Sequence, residues 1–166
     1  LGALYYVIGD YKKVRTALAK AVAINPLFES SWFLLGFSAV QLEDYEGALR
    51  SFTRLINLNQ DNPEAWKHVA NCQVKLGRLD EAHRALAQVT RLQFDVADGW
   101  LSLFGVSLTI GEPLDAIRSL RRYIEILISS SSESSSFTSK ETNKIIEMTS
   151  QLCDLVIRVC MQSQDL

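Results

Sequence analysis

Apolar residues return along the chain at helical spacing, and polar or glycine-proline punctuation interrupts them at regular intervals. Between residues 11 and 24, Val14, Leu18, Ala21 and Val22 share one helix face. Gly9-Asp10 precedes this run, and Asn25-Pro26 ends it, because the residue before proline is pushed away from helical angles. Residues 29–42 predict a second helix with Trp32, Leu35, Gly36 and Ala39 on one face. Asp44 suits the cap of a helix over 45–58. After the polar link Asn59-Gln60-Asp61-Asn62, Pro63 fits the first turn of a helix over 63–76, and Gly77 separates it from one over 79–92. A last pair is predicted at 96–110 and 113–128, with Gly111 at a helix end and Pro113 in a first turn. Residues 1–8 read as the remainder of a helix whose start is missing. Residues 140–162 predict a long helix with Ile145, Met148, Leu152, Leu155, Val156 and Val159 along one face. Ile146, Cys153, Ile157 and Cys160 widen that face, and both cysteines are expected to be small core residues.

The pattern repeats. The three tryptophans, Trp32, Trp66 and Trp100, lie 34 residues apart and 34 apart again. A fixed period of this size over helical sequence means stacked supersecondary units. With each Trp as position four, position eight is Gly36, Ala70 and Phe104, and position twenty is Ala48, Ala82 and Ala116. Position twenty-four is Phe52, Leu86 and Leu120, and position fifteen, between the two helices, is Glu43, Gly77 and Gly111. Small residues at eight and twenty let the two helices of a unit cross closely, and the tryptophans are expected in the core. Phe104 breaks the rule at position eight, and Pro113 replaces the tyrosine seen as Tyr11 and Tyr45. The helices of the last pair are therefore expected to sit further apart or to tilt.

This register resembles the tetratricopeptide repeat: Trp, Leu-Gly and Tyr in helix A, Ala and Phe in helix B, Pro near the end. Leu1-Gly2, Tyr5 and Pro26 carry the resemblance in the first unit, and Trp32, Leu35-Gly36, Ala48 and Phe52 in the second. The implied fold is all-α, a right-handed solenoid of stacked antiparallel helix pairs with a C-terminal capping or packing helix. The array would cover 1–128, as a partial repeat 1–28 and repeats 29–62, 63–96 and 97–128. A Ser-rich flexible loop over 129–139 and a helix over 140–162 would follow. Asn25-Pro26-Leu27, Trp32-Phe33, Leu42-Glu43-Asp44-Tyr45-Glu46-Gly47 and Asp61-Asn62-Pro63-Glu64-Ala65-Trp66 are similar to the tetratricopeptide repeat protein 27 family. That resemblance implies a segment of a large, mostly helical, non-enzymatic intracellular protein.

Composition narrows the chemistry. The net charge is −2 and hydrophobic residues make up 48% of the 166. That content supports a sizeable core. Without a basic run, nucleic-acid binding is disfavoured. No apolar run reaches the length of a membrane span. Three cysteines, Cys72, Cys153 and Cys160, form no disulfide framework. Reduced thiols and a cytoplasmic or nuclear setting are expected. The first residue is Leu, which predicts a fragment of a larger chain. His68 and His83 each stand alone, without metal-ligand spacing. Glu43-Asp44 and Asp80-Glu81 sit at helix starts, where the dipole favours them. No enzyme motif and no cofactor site is found. The stretch SSSSESSSFTS reads as an insertion loop, with phosphorylation as the sharper alternative.

In stacked helix pairs the A helices line a concave side. Positions two, five, nine and twelve should face inward, which places Phe33, Phe37, Lys67, Asn71 and Leu101 there, joined by Tyr6 from the first unit. This lining of apolar rings beside a Lys–Asn pair predicts groove binding of a peptide or helix, within a protein–protein interaction scaffold. The alternative is an architectural spacer whose groove is filled by its own parent chain. A carboxylate clamp for Hsp70 or Hsp90 tails is not expected. Phe33, Phe37, His68, Asp98 and Ser102 stand where the clamp needs Lys, Asn, Asn, Lys and Arg.

Overall fold

A computed structural model describes residues 10–131 and 139–162, and every regular element among them is a helix. They are α1 (Tyr11–Ile24), α2 (Glu29–Gln41), α3 (Tyr45–Leu58), α4 (Pro63–Lys75), α5 (Leu79–Leu92), α6 (Ala97–Ile110), α7 (Pro113–Ser131) and α8 (Ser139–Gln162). The chain divides into two compact units, Leu1–Leu92 and Gln93–Leu166.

Polar residues start three of the helices, Asp44 as the sequence implies and Asp10 and Asn62 beside it. Asp10, Asp44 and Asn62 each accept a backbone N–H three residues on, at 3.2, 2.8 and 3.1 Å. Helix ends recur too. The amides of Asp44, Arg78 and Glu112 each close back onto the carbonyl five residues earlier, all at 2.9 Å. This closure needs a left-handed residue just before it, with φ of 58° at Glu43, 73° at Gly77 and 84° at Gly111.

In the first unit, α2 pairs with α3 and α4 with α5, while α1 packs on α2 and α3 on α4. Its core holds Val14, Ala48, Phe52, Leu55, Ala65, Ala70, Ala82, Leu86 and Val89. Gly36 shows why position eight is small: a Cβ there would lie 2.8 Å from the Phe52 ring. In the second unit, α6 pairs with α7 as extensively as α2 does with α3, so the expected widening of the last pair is absent. Phe104 and Leu120 are both buried in that pair. The α6–α7 pair thus accommodates two large side chains where the second repeat has Gly36 and Phe52.

α8 packs on α7 and meets α6. It buries Met148 and Leu155 but leaves Ile146, Val156, Ile157 and Cys153 exposed. Cys153 is therefore not the core residue expected. Packing uses a narrow seam, and the broad apolar face exceeds what it covers. Helix enters the serine stretch from both sides. α7 continues through Ser131 and α8 begins at Ser139. The Ser129 hydroxyl donates to the Glu125 carbonyl at 2.8 Å, so a serine is accommodated within the helix. Residues 1–9, 132–138 and 163–166 lie outside the described residues, as do the side chains of Val159 and Cys160.

The tryptophans also differ from expectation. Trp100 is buried, but Trp32 and Trp66 are only half-buried. Each indole Nε1–H instead donates to the backbone carbonyl six residues upstream. Trp32 reaches Pro26 O at 2.8 Å, Trp66 reaches Gln60 O at 2.8 Å and Trp100 reaches Phe94 O at 2.9 Å. The 34-residue period thus carries a tie between helix A and the turn that precedes it.

Candidate functional site

The A helices of the first unit, α2 and α4, carry four of the six residues expected to bind a partner. Phe33 and Phe37 lie one turn apart on α2 and are half-buried. On α4, Lys67 is half-buried and Asn71 is exposed, again one turn apart. Residues at this spacing are neighbours on a helix surface. Leu101 is half-buried on α6, in the second unit, and Tyr6 lies outside the described residues.

Phe33 does more than face solvent. Its ring meets Phe52 edge-on at 6.1 Å between centroids and His68 edge-on at 5.4 Å. His68 in turn lies flat on Phe52, with centroids 4.6 Å apart and planes 10° apart. The histidine that stands alone in the sequence therefore belongs to a three-ring cluster joining α2, α3 and α4. Burial pushes its pKa below the ordinary value, Glu64 acts in the opposite direction and Lys67 adds to the lowering. No sequence signal pointed to this, because the three rings come from separate helices.

Beside the cluster, a shallow cavity of about 360 Å³ opens between Glu29, Ser30, Phe33, Leu34, Leu55 and Asn62. Ser30 and Phe33 are two of the positions expected to face inward. The face therefore offers partly exposed rings, a small depression, one lysine and one free-standing amide. Asn71 can donate and accept at once, as a peptide backbone requires. Among the described residues no group of His, Cys, Asp or Glu could hold a metal ion, and no helix is long and apolar enough to cross a membrane. Cys72 is buried, and burial raises its thiol to about 11, which leaves it unreactive at neutral pH.

Comparison with known proteins agrees with the repeat fold. The sequence profile of the tetratricopeptide repeat matches residues 39–102. A TPR repeat-containing protein of Schizosaccharomyces pombe is 28% identical over 99% of this chain and 19% of its own length. Tetratricopeptide repeat-containing protein trd-1 of Caenorhabditis elegans is 21% identical over 76% of this chain and 16% of its own. The chain thus spans about a fifth of the curated relatives it matches.

Among solved structures, MamA superposes with a TM-score of 0.72 at 18% identity, covering 93% of this chain and 87% of MamA. YrrB, described as a TPR protein with an unusual peptide-binding site, gives 0.67 at 27% identity, covering 75% of this chain and 64% of YrrB. Residues 39–102 carry the tetratricopeptide-repeat pattern, and the chain has the all-α fold of tetratricopeptide-repeat solenoid proteins.

Proposed function

We propose that this chain is a protein-binding module whose A-helix groove takes a peptide or helix of a partner, within a larger scaffold. The observation that carries the reading is the set of half-buried Phe33 and Phe37 beside Lys67 and exposed Asn71. Packing uses these rings only in part, and apolar surface left beside hydrogen-bonding groups favours docking. The peptide-binding site named for YrrB supports the same reading. Tyr6 and Leu101 are proposed as further partner-contacting residues. The array is taken to run over 1–128, with 140–162 covering its end. The larger protein is proposed to belong to the tetratricopeptide repeat protein 27 family, to be non-enzymatic and to work in the cytoplasm or nucleus. Hsp70 and Hsp90 tails and nucleic acid are not its ligands.

A second reading has support in length. Four-fifths of each curated relative lies outside the region this chain matches, so the parent chain could supply its own groove segment. The test is co-purification of partners from native cells with the full-length protein and its Lys67→Glu/Asn71→Asp variant. The module reading expects specific partners to be lost while the thermal melt is unchanged. Unchanged partners would favour the spacer.

A further inference from the structure

A second surface of different chemistry lies on the B-helix side of the same unit. A groove of about 720 Å³ is lined by Arg15 of α1, Trp32 and Leu35 of α2, and Leu49, Arg50 and Arg54 of α3. That volume is in the range of sites that hold a ligand of several side chains. Its polar groups are unbalanced. Asp44 also lines the groove, but it is taken up by Arg15 at 2.8 Å and by the Gly47 amide at 2.8 Å. Arg50 and Arg54 are exposed, one turn apart, and neither pairs with an acidic group among the described residues. Three guanidinium groups therefore face one carboxylate, in a chain whose net charge is −2. Guanidinium groups bind carboxylates through paired, charge-assisted hydrogen bonds. Between the arginines, Trp32, Leu35 and Leu49 supply an apolar floor, and Trp32 is only half-buried.

We propose that this groove binds an acidic peptide segment of a partner protein. Its carboxylates would sit on Arg50 and Arg54, and one apolar side chain would rest against Trp32, Leu35 and Leu49. The surface is separate from the A-helix groove and does not depend on it. Nothing in the local sequence announces it, because Arg15 stands 35 residues from Arg50.

The test is fluorescence anisotropy with short labelled peptides and the full chain. One peptide carries Asp and Glu around a central Phe. A second replaces the acids with Asn and Gln, and a third replaces the Phe with Gly. The first peptide is expected to bind, with affinity falling as salt rises. The other two are expected to bind more weakly. Arg50→Glu/Arg54→Glu should weaken the first by roughly tenfold or more, the loss of at least one charge-assisted bond. Arg50→Gln/Arg54→Gln should fall between, and both variants should melt as the unmodified chain does. Lys67→Glu/Asn71→Asp should leave this binding unchanged. The proposal is overturned if the acidic peptide does not bind, if the Asn/Gln peptide binds equally, or if the arginine variants bind as before. It is also overturned if loss follows Lys67→Glu/Asn71→Asp instead. Equal displacement by a single-stranded oligonucleotide, or a self-association lost with the arginines, would likewise overturn it.

Discussion

His68 shows how one side chain can serve two purposes. Stacked flat on Phe52 and edged by Phe33, it completes the interior of the first unit while lying next to Lys67 of the candidate groove. Burial favours its neutral form, so its folded pKa is depressed below the ordinary value. The sign follows from linkage. As pH falls through the unfolded value near 6.5, the unfolded chain takes up a proton that the folded chain resists. The stability contributed by neutral His68 is therefore present at neutral pH and lost on acidification. Thermal melts followed by circular dichroism between about pH 7.5 and about 5.5 should fall more steeply for the unmodified chain than for His68→Phe, which keeps a ring in the stack. Equal slopes would mean that the charge on His68 is not resisted by its surroundings. This role was hidden in the sequence, where His68 follows Lys67 on a helix of ordinary pattern.

Within the helices, the repeat positions were legible in the order of how local their cause is. The cap at Asp44, the proline starts and the helix end at Gly111 were legible from residues a few positions apart, whereas the caps at Asp10 and Asn62 and the left-handed Glu43 emerge from the structure. Close crossing at position eight is a contact between helices, yet the small residue there announced it. Alanine at Gly36 would press on Phe52, which is fully buried and already stacked on His68, so the ring has little room to yield. Overpacking of this kind costs about 1–3 kcal/mol, set against roughly 1 kcal/mol of helix propensity that alanine gains over glycine. Gly36→Ala should therefore lower the urea midpoint, and an unchanged or raised midpoint would show that the α2–α3 contact has slack. Phe104 is buried without widening its helix pair, which a single large residue in the sequence does not announce. The tryptophans were misjudged in part, since their period was clear but the Nε1 bond to the preceding turn depends on backbone geometry. Cys153 was misjudged because an apolar stripe predicts what can be buried, not how much of it a neighbour covers.

At the scale of the whole molecule, the all-α repeat fold was the most legible feature, because a 34-residue period constrains every unit at once. Binding surfaces were less so. Phe33, Phe37, Lys67 and Asn71 could be assigned to one face from register, and the structure places them on α2 and α4 with the expected one-turn spacing. The arginine-lined groove could not be assigned, since it needs α1, α2 and α3 together. The proposed role of the A-helix face is to meet another protein. It is tested most directly by placing a photo-activated cross-linker at exposed Asn71 in the full-length protein and identifying the captured peptides by mass spectrometry. Peptides from a second protein, captured also in the Arg50→Glu/Arg54→Glu background and absent when Lys67 is changed to Glu, are the predicted result. Peptides from the parent chain alone would contradict the claim and make this segment an architectural spacer.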